Sequence, residues 1–167
     1  MITARQGDPS NWALDRIDQQ SLPLDGQYEF AQTGTSKSTS KRCFSSFSSI
    51  MSPGKGVTIF VLDSGINFGH EEFDGRATCG FSAIYGEDCE DGRGHGSHVA
   101  SVAAGKNYGV AKEADIVAVK VLGNDGTGSF SGVVAAVNFV AEQKRKNPSK
   151  PMIASKFSFY IKSKDLI

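Results

Sequence analysis

The sequence contains few cysteines and prolines, no net charge and no long apolar run. Its 167 residues include three cysteines, five prolines and one tryptophan. Eighteen basic and eighteen acidic residues give a formal net charge of zero, so no long-range field attracts nucleic acid or an anionic membrane. No run reaches the roughly 18 apolar residues of a membrane span, and the beginning of the chain lacks the apolar stretch of a signal peptide. We therefore expect neither nucleic acid nor a membrane as a partner, and no export signal in these residues.

The odd number of cysteines prevents a complete disulfide framework from being derived from the sequence. Cys79 and Cys89 are ten positions apart and could pair in a secreted protein. Two ordinary thiols are an equally open alternative, because spacing does not determine connectivity. Cys43 is the expected leftover thiol.

Length and composition indicate one globular domain with two unusual segments. An apolar content of 39% in a chain of this length is enough for one sizeable core. Residues 1–30 read as a polar arm with one short helical turn near residues 11–17. Residues 33–52 consist mainly of Ser, Thr and Lys and bury too little apolar surface to offset their ordering entropy. We expect a mobile loop there.

The central part of the chain alternates buried strands with helices. The predicted strands are 57–62, 116–122 and 152–154, and the predicted helices are 95–105 and 133–143. Nearly continuous apolar strands separated by helices are typical of a parallel sheet with right-handed crossovers. The predicted fold class is therefore α/β, with helices on both faces of the sheet.

Two segments carry residues suited to acid/base chemistry. Asp63 follows the first buried strand, and reactive groups of parallel sheets gather at the carboxyl ends of strands. His95 lies between two glycines at the predicted start of a helix. A carboxylate at a strand end can accept a hydrogen bond from one imidazole nitrogen and stabilise the charged ring, while the other nitrogen acts as a general base. Either residue alone is more often a cap, turn or surface residue.

A metal site is the alternative interpretation of the histidines. His95 and His98 are three positions apart and share one helical face, so they could hold a metal only with two further ligands. His70 and Glu71, followed by Asp74, do not form a two-histidine zinc motif. We expect no metal site, a packed structural role for His98 and a loop position for His70.

Taken together, the two segments resemble those of the subtilisin-like serine peptidases, especially the proteinase K-like branch. The resemblance covers nearly all of residues 1–155 except 33–52. Its motifs, in chain order, are Trp12-Ala-Leu-Asp-Arg-Ile17, Val61-Leu-Asp63-Ser-Gly-Ile66, His70-Glu-Glu-Phe-Asp-Gly-Arg-Ala77, Asp91-Gly-Arg-Gly-His95-Gly-Ser-His98-Val-Ala100, Tyr108-Gly-Val-Ala-Lys112 and Val119-Lys-Val-Leu122.

The resemblance implies specific roles. Asp63 and His95 would be the first two members of a Ser-His-Asp triad in an endopeptidase that works through an acyl-enzyme. Gly126, Thr127 and Gly128 resemble the extended segment that pairs with the backbone of a polypeptide substrate, although a surface turn is the alternative. The family is extracellular and needs no cofactor in this part of its domain, since its calcium sites lie mostly further downstream.

The sequence departs from the family after residue 155. The nucleophile of the family lies in a Gly-Thr-Ser-Met-Ala motif and its side-chain oxyanion donor is an Asn in the second half of the domain; neither is present in these residues. We therefore expect a partial peptidase catalytic domain at 1–155 with a Ser/Lys-rich insert at 33–52, followed by a non-family tail at 156–167. Such a chain should be inactive. The alternatives are a noncatalytic peptide-binding fragment and a gene-model artefact.

Overall fold

The computed structural model describes residues 2–7, 12–19, 22–32 and 53–156. The predicted loop at 33–52 and the tail from residue 157 onward lie outside the described residues. The elements are β1 (Ile2–Gly7), α1 (Trp12–Ile17), β2 (Gln27–Gln32), β3 (Thr58–Asp63), β4 (Ala77–Ser82), α2 (His95–Ala104), β5 (Asp115–Lys120), α3 (Phe130–Lys146) and β6 (Met152–Lys156).

The main sheet has four strands in the order β4-β5-β3-β6. All three pairings are parallel, so the predicted parallel α/β sheet is confirmed. Strand β3 lies between β5 and β6, and all six of its residues are buried. This central position explains its continuous apolar sequence, because both faces of the strand are covered.

The two faces of the sheet form two cores. On one face Ile59 and Val61 of β3 belong to the same cluster as Ala100 and Ala104 of α2. Both alanines are fully buried, which lets the helix approach the sheet closely. On the other face the alternate residues of β3 pack with α3, whose Ala136 is also fully buried. Helices therefore cover both faces, as predicted.

Several boundaries differ from the sequence prediction. The helix predicted at 133–143 extends from Phe130 to Lys146, and its N-cap is Ser129, whose Oγ accepts a hydrogen bond from the Gly132 amide at 3.0 Å. Strand β4 was not predicted. Only its first residue is buried and its register shifts between Cys79 and Phe81, so it lacks the continuous apolar pattern of its neighbours.

The polar arm expected at residues 1–30 contains more structure than predicted. Strands β1 and β2 form an antiparallel pair that joins Ile2 to Gln32 and Gly7 to Gln27. The predicted helical turn is present as α1. Leu14 of that helix is buried, whereas Ile17 is 59% exposed.

Candidate active site

Asp63 is the last residue of β3 and is held firmly at the edge of the sheet. It is 1% exposed, and its Oδ1 accepts a hydrogen bond from the Ser64 amide at 2.7 Å. Its carbonyl accepts the amides of Val121 and Leu122 at 2.8 and 3.2 Å. The main chain of Asp63 is therefore fixed by β5 and its following residues, and one carboxylate oxygen by the Ser64 amide, at the carboxyl end of a parallel strand where functional groups gather.

His95 begins α2 and contacts Asp63 directly. Its Nδ1 lies 2.7 Å from Asp63 Oδ1. The histidine side chain is 46% exposed and the aspartate side chain 2%. A buried acceptor thus holds one ring nitrogen while about half of the ring stays accessible, which is the arrangement that an acid/base histidine needs.

Glycines on both sides of His95 make this contact sterically feasible. A Cβ at Gly96 would lie 2.1 Å from the Gly65 carbonyl oxygen and 3.2 Å from Asp63 Cβ, so only glycine fits without a shift. The Gly96 amide donates to Ser64 Oγ at 3.0 Å. Gly94 has a φ of 89°, in the left-handed region that glycine adopts readily. The helix start is therefore pressed against the end of β3.

The carboxylate of Asp91 joins the end of β3 to the start of α2. Burial raises the pKa of Asp91, but hydrogen bonds from the Ser97 side chain and amide, the Ser64 hydroxyl and the Gly94 amide outweigh it and bring the pKa below its ordinary value. Asp91 thus anchors the first turn of α2, whose N-terminal amides favour a negative charge. The donor distances are 2.8 Å from Ser64 Oγ, 3.1 Å from Arg93 N, 2.8 Å from Gly94 N, and 2.8 and 2.7 Å from Ser97 N and Oγ.

The segment from Gly126 to Gly128 follows β5, the strand next to β3. Two of its amides are used within the loop: Gly126 donates to the Gly123 carbonyl at 2.8 Å and Thr127 to Asp125 Oδ1 at 2.8 Å. Thr127 and Gly128 are exposed. In the described part of the chain no group accepts a hydrogen bond from the Gly128 amide. Gly128 is therefore the position of this segment best placed to pair with another chain.

The loop before His95 is attached to this segment. The Gly92 amide donates to Asn124 Oδ1 at 3.0 Å, and Arg93 Nη1 donates to the Asp125 carbonyl at 3.1 Å. The structure therefore links the segment that carries the histidine to the segment expected to contact substrate.

The other histidines lie outside this arrangement. His98 is exposed, so the expectation of a packed structural histidine is wrong. His70 is an exposed loop residue whose Nδ1 accepts the Glu72 amide at 3.2 Å. Across the described residues, no group of three or more His, Cys, Asp or Glu side chains is arranged to hold a metal ion.

Cys79 and Cys89 form a disulfide with a Cα–Cα distance of 5.4 Å. The bond connects β4 to the loop that leads to α2, and Cys89 is 1% exposed. Sequence spacing had left this pairing open. Cys43 lies outside the described residues.

Sequence reasoning missed two residues that support the site. Asp91 stands in the glycine-rich stretch before His95, where a carboxylate just upstream of a helix start could have indicated an anchor. Lys120 is fully buried at the end of β5. A lysine inside an otherwise apolar strand was the available signal, because lysine is almost never fully buried unless it is paired.

Comparisons with known proteins agree with this geometry. The profile of the subtilase family matches residues 54–152, which is more than half of the chain. The chain belongs to the subtilase family. The matched range includes Asp63, His95 and the segment from Gly126 to Gly128, and the resemblance to subtilisin-like peptidases is thereby confirmed.

Curated relatives and solved structures also resemble this chain, in sequence and in fold. The chain is 48% identical over 96 residues to "Subtilisin-like protease 1" of Trichophyton rubrum, covering 58% of this chain and 19% of that protein. It is 41% identical over 145 residues to "Alkaline serine exoprotease A" of Vibrio alginolyticus, covering 86% of this chain and 23% of that protein. A "cold adapted subtilisin-like serine proteinase" superposes with a TM-score of 0.68 and 40% identity, covering 86% of this chain and 44% of that one. "Sphericase" superposes with a TM-score of 0.58 and 30% identity, covering 69% of this chain and 41% of that one.

The subtilase chain described here spans about a quarter or less of the length of these two named relatives, 19% and 23%. Within its described residues, no helix combines the length and apolar character needed to cross a bilayer.

Proposed function

We propose that this subtilase chain supplies the aspartate and histidine of a serine endopeptidase site that cleaves extended polypeptides through an acyl-enzyme. The observation that carries the proposal is the 2.7 Å contact between Asp63 Oδ1 and His95 Nδ1, with the aspartate buried and the imidazole half exposed. This is the relation between carboxylate and base that peptide hydrolysis by a serine triad requires.

The residues would divide the chemistry between them. Asp63 accepts a hydrogen bond from Nδ1–H of His95, which fixes the tautomer and stabilises the imidazolium formed during the reaction. Nε2 of His95 takes a proton from a serine hydroxyl and later delivers it to the leaving amine. Gly128 would hydrogen-bond the substrate backbone in an extended conformation, as in other cases of strand addition.

We further propose that these 167 residues do not hydrolyse peptides by themselves. No serine among them stands in the Gly-Thr-Ser-Met-Ala context of the family nucleophile. Without a nucleophile the remaining pair has no atom to activate, so only trace catalysis could persist. The chain alone should show no turnover of a casein-type substrate. Turnover that disappears in Asp63→Ala or His95→Ala and after a serine-directed phosphonyl reagent would overturn this part.

A chimera tests the acid/base roles directly. Residues 1–155 would be joined to the corresponding downstream part of the Vibrio alginolyticus exoprotease. We expect hydrolysis that falls by at least about 10³-fold in His95→Ala and in Asp63→Ala, because triad members act as a unit. The conservative control His98→Gln changes an exposed histidine one helical turn away and should retain activity. A folded chimera whose activity ignores His95 would contradict the proposal.

A noncatalytic peptide-binding role is the second candidate, and the exposure of Gly128 favours it. An extended peptide added to the isotope-labelled chain should shift the amide signals of the segment from Gly126 to Gly128. Binding without turnover supports this role, whereas unchanged signals at millimolar peptide would exclude it.

For location, we propose an extracellular protein, supported by the disulfide between Cys79 and Cys89. We propose no cofactor in this part of the domain.

A further inference from the structure

Lys120 occupies an unusual position in the sheet. It is the last residue of β5 and is paired in register with Asp63. Its side chain is 0% exposed, although lysine normally keeps its ammonium group in water. A buried charge is strongly unfavourable unless neighbouring groups pair with it. The contacts of this ammonium group therefore show what it holds together.

Four acceptors surround Lys120 Nζ. Three come from the neighbouring main chain and the loop before α2: the Ser64 carbonyl, the Glu90 carbonyl at 3.1 Å and Glu87 Oε2 at 3.2 Å. The fourth is Asn124 Oδ1 at 3.0 Å. An ammonium group has three protons to donate, so this set satisfies it fully and includes one opposite charge.

These acceptors belong to three functional segments. Ser64 directly follows Asp63 at the end of β3. Glu87 and Glu90 belong to the loop that leads to His95. Asn124 opens the loop that contains Gly126 to Gly128, and its Oδ1 also accepts the Gly92 amide at 3.0 Å. A single buried cation is thus the meeting point of the aspartate, histidine and substrate segments.

We propose that Lys120 is a positioning residue of the active site, whose ammonium group fixes the substrate-pairing segment relative to the Asp63–His95 pair. It touches neither reacting atom. The part of this inference that concerns substrate rests on the proposed function, whereas the part that concerns the Asp63–His95 contact does not. Because the charge is buried, rearranging one of the three segments would leave it poorly paired, so the three segments keep one arrangement.

The test replaces Lys120 by methionine, which matches its length without charge or donors. The matched control is Lys112→Met, a half-buried lysine near the opposite end of β5 that donates to the Asn107 carbonyl at 3.0 Å. In folded Lys120→Met, we expect solvent exchange of the His95 Nδ1 proton to accelerate at least about fivefold. Affinity for an extended peptide, read at the Gly128 amide, should fall about tenfold. Lys112→Met should change neither.

A second set of variants keeps the proposal testable if Lys120→Met does not fold. If Lys120→Met does not fold, Lys120→Gln replaces it, because its amide still donates to the carbonyls, and smaller changes in the same direction are expected. Asn124→Ala cuts the side-chain link to the peptide segment and should weaken peptide binding while the His95 proton signal stays. The proposal is overturned if a folded Lys120 variant keeps the wild-type proton exchange rate. If the unmodified chain binds no peptide, the proposed peptide role fails, and the exchange measurement still decides the link between Lys120 and Asp63.

Discussion

Asp63 and His95 are separated by 32 positions in the sequence, yet their side chains meet at 2.7 Å. The contact depends on a strand end and a helix start that lie against each other with no room for a side chain at Gly96. The buried carboxylate is already bound by the Ser64 amide, so its orientation is set before any substrate arrives. Such preorganisation is what makes an acid/base pair effective.

Replacing Asp63 by alanine should remove the slowly exchanging Nδ1 proton of His95 from the proton NMR spectrum. The physical reason is that the hydrogen bond from Nδ1–H to the Asp63 carboxylate protects the proton from exchange. The control is Asp74→Ala, an exposed aspartate whose ion pair with Lys106 at 3.0 Å lies elsewhere on the surface. A signal that survives in Asp63→Ala would show that another group holds the ring.

Replacing Asp91 by asparagine should cost about 1–3 kcal/mol of unfolding free energy near neutral pH, because several hydrogen bonds to a charged group are lost. The pKa of Asp91 is lower in the folded protein than its ordinary value. Its contribution is therefore fully present above the unfolded pKa of about 3.9 and disappears as the pH falls through the lower folded pKa. Urea unfolding of the wild type and Asp91→Asn at a series of pH values measures the difference in unfolding free energy between them.

Asp88→Asn is the control for Asp91→Asn, since it removes the same charge nearby. Among the described residues, Asp88 accepts one hydrogen bond, from the Glu90 amide at 2.9 Å. Its effect at neutral pH should be smaller than that of Asp91→Asn. A gap between wild type and Asp91→Asn that stays constant down to the lowest pH would argue against the role of the charged carboxylate.

Replacing Gly96 by alanine should destabilise the protein by about 1–3 kcal/mol, the usual range for overpacking. The added Cβ would meet the Gly65 carbonyl at 2.1 Å, so α2 must move away from β3. Exchange of the His95 Nδ1 proton should accelerate in parallel. Gly7→Ala is the control because none of the described residues lies within 4 Å of a Cβ there. Equal stability of Gly96→Ala and wild type by thermal unfolding would contradict the close approach.

Reduction of the Cys79–Cys89 disulfide should lower the unfolding free energy by about 3 kcal/mol, the loop-entropy expectation for a closed loop of this size. Urea unfolding with and without a thiol reductant measures the change. Cys43→Ser should retain both the disulfide and the stability difference. A bridge from Cys43 to either partner in non-reducing peptide maps would refute the pairing.

The sequence predicted the central part of the fold because its signals were local. Strands β3 and β5 are continuous apolar runs, and the small residues of α2 announce a helix close to a sheet. Strand β4 was not predicted because Thr78 and Gly80 interrupt its apolar pattern and its register shifts. The antiparallel pairing of β1 with β2 was not predicted because the two polar strands are twenty residues apart in sequence.

The contact between Asp63 and His95 was predictable for a different reason, namely the motifs around the two residues. The supporting residues were not, because their roles depend on long-range contacts. Asp91 acquires its role only when Ser64 comes within 2.8 Å of it. Lys120 acquires its role only when three separate loops bring their oxygens to one point.

The position of β3 between two parallel neighbours has a consequence for fluctuations at the edge of the sheet. Among the described residues, pairing with β6 reaches Leu62, whereas Asp63 pairs with Lys120 of β5 and its carbonyl accepts the Val121 amide. The described contacts that orient the aspartate are made with Ser64, His95 and the residues after β5, so a transient separation of β6 leaves these contacts in place. Local opening, and the proteolytic nicking that follows it, can therefore begin at β6 while the contact between Asp63 and His95 persists.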